Sequence, residues 1–179
     1  MNISEAVKLL SNDINSISIE CANRVTEFYT SDSDKIVSDN DFGSIVVEFE
    51  YLFLHVVDRY AHMTLSENVR DKFIEALGIN VIDLNYKNYG FNIEKKLIED
   101  AKKYEINMLN NRTHEYSNYK KMFPNQGEGT GNTLFWEFGK KITLEYLHSH
   151  NPAVIVKCVI AASDIIIKGN LEEKIKMIE

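Results

Sequence analysis

Residues 45–63 read IVVEFEYLFLHVVDRYAHM. Placed at about 100° per residue on a helix, the aliphatic and aromatic side chains from Ile45 to Ala61 cover most of the circumference. A helix apolar on nearly every side is stable only when neighbours cover it, so this segment belongs in the middle of a helical fold. One edge breaks the pattern. Glu48, Tyr51, His55, Asp58 and His62 fall within a sector about 80° wide, with Arg59 beside it.

That edge carries the chemistry the chain offers most directly. His55 and Asp58 stand one turn apart, as do Asp58 and His62, spacings at which two side chains of a helix reach the same ion. Glu48, His55, Asp58 and His62 are therefore the metal or acid–base candidates. Glu145 and His148 add a Glu-x-x-His pair from another helix, a spacing that carboxylate-bridged di-metal bundles use twice together with two further glutamates. Here the central helix has His-x-x-Asp instead of the second pair. The competing expectation is that the edge is simply the solvated side of the helix, with Arg59 pairing with Glu48 or Asp58.

Moving outward, Ile3, Val7, Leu10, Ile14, Ile17 and Cys21 alternate steps of four and three, which predicts a long amphipathic helix from about Ser4 to Tyr29. Residues 30–41 read as an acidic linker, with Asp41 capping the central helix. Its Asp39, Asp41 and Glu50 approach calcium-loop spacing, but Ser44 stands where that loop needs glycine. Thr64 and Glu67 have the form of a capping box for a third helix closed by Gly78, while residues 79–89 are ambiguous.

The longest element is predicted from Asn92 to about Met122, ended by Phe123 and Pro124. Its inner stripe starts apolar with Leu97, Ala101, Tyr104 and Met108, then turns polar with Arg112, Glu115 and Tyr119. Buried charge is costly unless paired, so the polar half must face water, a partner or a polar pocket. One arrangement would join it to the central helix in a cluster of Glu48, His55, Asp58, Arg112, Glu115 and Tyr119.

Residues 124–132, PNQGEGTGN, form a glycine-rich loop between helices. No Gly-Lys-Ser or Gly-Lys-Thr follows at phosphate-loop spacing and no strand precedes it, so it reads as a connection. A helix is expected from Thr133 to about Ser149. Asn151 and Pro152 start the next, which ends at Gly169, and a short helix follows. Within the segment Ala153 to Ile167, Val154, Ile155, Val156, Val159, Ile160 and Ile165 point to several faces. It is expected to be a core helix or a surface completed by a second copy of the chain.

Composition limits the remaining classes. The chain has 179 residues, 44% hydrophobic and 26% charged, a soluble globular balance sized for one domain spanning 1–179. With only two prolines and eight glycines, many short strands joined by tight turns are not expected. The net charge of -7 repels phosphates, so no nucleic-acid partner is expected. Cys21 and Cys158 sit in apolar runs as core thiols. Lys157 and Asp164 interrupt the greasiest segment, so no membrane span is expected, and the first ten residues lack a signal pattern. A cytoplasmic location follows as an expectation.

The expectation is an all-α, single-domain bundle of six or seven helices. Its function is expected to be binding of another protein or self-association without catalysis, and no cofactor. The alternative is an acid–base enzyme or one using a divalent metal at the central helix.

Overall fold

In the computed structural model, which describes residues 1–33, 35–89, 95–124 and 129–178, the chain is an all-α helical bundle, with no strand among the described residues. Helix α1 spans Ile3–Ser33 and α2 spans Asp39–Thr64. Helix α3 spans Glu67–Tyr89 and α4 spans Lys95–Ser117. Helix α5, Leu134–Lys141, continues directly into a π-helical turn, Ile142–Tyr146. Helices α6, Pro152–Gly169, and α7, Leu171–Lys176, complete the order.

Helix α2 lies in the middle, as its apolar circumference requires. It touches α1, α3, α4, α7 and the π-helical turn, and Ile45, Phe49, Leu52 and Phe53 are fully buried. Phe49 meets Phe138 of α5 edge to face, 4.8 Å between ring centres, which ties the two layers through aromatic packing. Helix α6 packs on α1 and α5. Gly139 is required there, because a Cβ at that position would stand 2.9 Å from the Ile155 carbonyl oxygen.

Several boundaries differ from the sequence expectation for identifiable reasons. Helix α1 runs on to Ser33, and the hydroxyls of Ser31 and Ser33 in its last turn donate to the carbonyls of Glu27 and Tyr29, at 2.8 and 2.7 Å. The linker is correspondingly shorter than 30–41. Ser38, not Asp41, caps α2: the Asp41 amide donates to its hydroxyl at 3.1 Å, and the hydroxyl donates to the Asp41 carboxylate at 2.6 Å. Thr64 ends α2, donating to the Tyr60 carbonyl at 2.9 Å, and does not open α3. Gly78 does not stop α3, which continues through the ambiguous residues. Gly78 is where Leu109 of α4 comes close, its Cδ2 3.1 Å from where a Cβ would be.

Helix α4 ends at Ser117, short of Met122. The next carbonyls are taken elsewhere: Arg59 donates to those of Tyr119 and Lys120 at 3.0 and 2.5 Å. The amides of Leu134 and Phe135 donate to those of Lys121 and Met122 at 2.9 and 3.3 Å. Those last two bonds satisfy first-turn amides of α5. The expected start at Asn92, and residues 125–128 of the glycine-rich loop, lie outside the described residues. The helix predicted to reach Ser149 loosens at Ile142. The amides of Leu147 and Ser149 reach back to Ile142 and Thr143, at 3.1 and 2.9 Å, and His148 takes a left-handed backbone, φ 46°.

Helix α6 starts as predicted: the Ala153 amide donates to the Asn151 side chain at 2.9 Å, with Pro152 in the first turn. Asn170, with φ 48°, rather than Gly169, makes the left-handed turn that ends it. Its inner face, Val154, Cys158, Ala161 and Ala162, is buried, while Val156, Ile160 and Ile167 stay exposed. No helix among the described residues is long and apolar enough to cross a membrane.

Candidate functional site

The polar edge of α2 does not face water at its first two turns. Glu48 is 1% exposed. Helix α4 brings Arg112 and Tyr116 onto its carboxylate, and the π-helical turn brings Tyr146. Arg112 Nε and the Tyr146 hydroxyl each donate at 3.0 Å, and the Tyr116 hydroxyl donates to the second oxygen. Charge-assisted donors from two directions satisfy a carboxylate that burial alone would disfavour.

Around this centre the charges continue outward. Arg112 also donates to Glu115 at 2.9 Å and lies 3.8 Å from Glu145, and Lys141 reaches Glu115 and Glu145 at 3.0 and 3.4 Å. Three carboxylates thus share two cations. Burial, reinforced by the Glu48 charge and by donation to it, pushes the Tyr116 and Tyr146 hydroxyls above the ordinary phenol range. Burial works against the Arg112 cation, but Glu48 and Tyr146 outweigh it and hold the guanidinium more firmly protonated.

His55 lies two helical turns further along the same edge. It is 5% exposed, its ring 5.8 Å from that of Tyr116 and tilted by 59°. Among the described residues, neither ring nitrogen has a hydrogen-bond partner. Burial, helped by the Arg59 cation and opposed by Asp58, lowers its pKa to about 4, so the ring is neutral.

The other candidates go elsewhere. Arg70 of α3 grips Asp58 with a two-pronged pair, 2.7 and 2.9 Å. His62 is exposed at the end of α2. Glu145 joins the rim of the ionic cluster, whereas His148 lies beyond the helix, exposed, so the Glu-x-x-His spacing does not make a shared face. Among the described residues, no three His, Cys, Asp or Glu side chains gather closely enough to hold a metal ion. Of the cluster that the sequence suggested, Glu48, Arg112 and Glu115 do meet, and His55 joins through the Tyr116 ring. Asp58 pairs with Arg70 instead.

Sequence reasoning missed Tyr116 and Tyr146. It also missed a second buried carboxylate. Glu50, 1% exposed, accepts from the side-chain amides of Asn15 on α1 and Asn85 on α3, at 3.0 and 2.6 Å, and Asn15 donates to Asn85 at 2.8 Å. Among the described residues, no cation pairs with it. Burial raises its pKa to about 7 against the two amide bonds, with the Glu105 charge adding to the rise. A signal was present: at about 100° per residue Glu50 falls between Val57 and Leu54, in the middle of an apolar face.

What the fold and site define is an all-α helical bundle with an ionic cluster sunk at the junction of α2, α4 and the π-helical turn. Comparison with protein families, with curated proteins and with solved structures finds no match to the chain.

Proposed function

We propose that the chain is a non-enzymatic helical domain that self-associates through the outer face of α6. One observation carries this reading. Val156, Ile160 and Ile167 are 44%, 49% and 75% exposed. At about 100° per residue they fall within roughly 40° of one another on the helix. The charged residues flanking them turn aside: Asp164 lies 3.6 Å from Arg24 of α1, and Lys157 stands 5.7 Å above the Phe28 ring. An uncharged apolar stripe on a straight helix is self-complementary about a two-fold axis, the simplest closed way to remove it from water. The catalytic alternative has less support, because Asp58 is engaged by Arg70 and Glu48 by Arg112 and two tyrosines.

Sedimentation velocity over about 1 to 100 µM tests the reading, a range that brackets ordinary dimer affinities. Twice the 20.6 kDa monomer mass is expected for the wild type, and a folded monomer for Ile160→Asp. Because Ile160 is half exposed, the aspartate opens no core cavity; Ile167→Lys serves if that variant does not fold. A wild-type monomer throughout the range, or a dimer unaffected by both substitutions, removes the proposal.

A further inference from the structure

Helix α4 is attached differently from its neighbours. From Leu97 to Ser117 only Tyr116 is buried, whereas α2 is buried almost continuously from Ile45 to Val57. The expected inner stripe of α4 has turned to one side: Leu97 and Tyr104 are 57% and 68% exposed. The face that meets the bundle is instead centred on Ile98, Glu105, Leu109, Arg112 and Tyr116, all but Tyr116 half-buried. Most of its ties are polar. Lys102 pairs with Asp83 of α3 at 2.5 Å, the Tyr51 hydroxyl reaches the Glu105 carbonyl at 3.5 Å, and Arg112 and Tyr116 hold Glu48.

Such an attachment is inexpensive to undo. Buried apolar surface is lost outright when a helix leaves, and from Leu97 to Ser117 α4 gives up Tyr116 as its one fully buried side chain, with Met108 and Leu109 half-buried. Ions that separate recover their hydration, which offsets most of the pairing they give up. Beneath α4, His55 is buried against the Tyr116 ring, 5.8 Å between ring centres, so departure of Tyr116 bares the imidazole to water. We propose that α4 is a lid that opens as a separate unit from the rest of the bundle, uncovering His55 and the Glu48 carboxylate on one face of α2. Arg59, holding the carbonyls of Tyr119 and Lys120, fixes the chain just past the end of the lid.

Hydrogen exchange on the full chain, combined with modification of His55 by diethyl pyrocarbonate, tests the lid, with alkylation of the fully buried Cys21 reporting global opening. The amides from Tyr104 to Tyr116 are expected to exchange on the order of a hundredfold faster than those from Leu52 to Val57, with weak dependence on denaturant. His55 should react under conditions that leave Cys21 untouched. Arg112→Met, which strands Glu48 without its cation in the closed form, should quicken both readouts; if that variant does not fold, the wild-type measurements decide alone. Equal protection and equal denaturant dependence in α4 and α2, or reaction of His55 only together with Cys21, overturns the proposal.

Discussion

Replacing Glu50 by glutamine should make the protein more stable at neutral pH and leave it nearly unchanged in acid. The carboxyl sits between α1 and α3 with two amide donors and, among the described residues, no paired cation. Its pKa rises from 4.5 to about 7 on folding, because burial penalises the charge and Glu105 faces it from α4. Tyr86 of α3 also lies near Glu105, and Lys102, which acts on Glu105, is paired with Asp83. Below pH 4.5 the acid is neutral in both states and its contribution is fully present. As pH climbs to about 7 the unfolded chain releases the proton that the folded chain keeps, so stability falls; above that it is level. At about 1.4 kcal/mol per pH unit, the gap amounts to about 3 kcal/mol.

His55 acts in the opposite sense. With its folded pKa lowered to about 4, it costs stability as pH drops from about 6.5. The wild-type profile therefore blends two opposing slopes, and the difference between wild type and Glu50→Gln isolates the carboxyl because His55 is common to both. Urea unfolding from pH 4.5 to 8 should show that difference growing by about 3 kcal/mol in favour of glutamine, or roughly 8 °C in Tm for a 179-residue chain. At the acid end glutamine mimics the protonated acid once Asn85 turns its carboxamide round, and the two proteins should agree within about 1 kcal/mol. A difference that stays constant across the range would show that Glu50 ionises as it does in water, and the account of an uncompensated buried charge would fail.

Two packing and pairing predictions are independent of it. Gly139→Ala should cost about 2 kcal/mol in thermal unfolding, since its methyl meets a backbone oxygen at 2.9 Å that cannot move away. Gly78→Ala should stay within about 1 kcal/mol of wild type, because only a mobile Leu109 methyl stands in the way at 3.1 Å and alanine favours the helix. A double-mutant cycle on Asp58→Asn and Arg70→Met should return a coupling of about 1 kcal/mol, the worth of a partly screened, two-pronged pair. A coupling near zero would mean that Asp58 is free in solution for other partners.

The central helix was legible because its signal is local. Nineteen residues from Ile45 to Met63 state by themselves that almost every side must be covered. The Asn151 and Pro152 start of α6 was legible for the same reason, a cap and a pre-set φ within three residues. The rotation of α4 was not. The expected inner stripe is split: Leu97 and Tyr104 face outward, while Arg112 of the same stripe turns inward with Tyr116 to meet Glu48. Tyr146 was hidden as well, since the widened turn at Ile142–Tyr146 leaves no trace in a 3.6-residue pattern.

Read alone, the chain specifies an all-helical bundle, the burial of residues 45–63 at its centre, and a polar edge along that segment. Periodicity measures angles about a helix's own axis, and those are complete within a few turns of sequence. Which charge meets which is a different quantity. The partners of Glu48 lie 64, 68 and 98 residues away, and those of Glu50 lie 35 residues away in both directions. Only the packing of separate helices sets what stands opposite a given angle. The tertiary structure therefore decided that the edge is an ion-paired interior at Glu48, a buried histidine against the Tyr116 ring at His55, and open surface by His62.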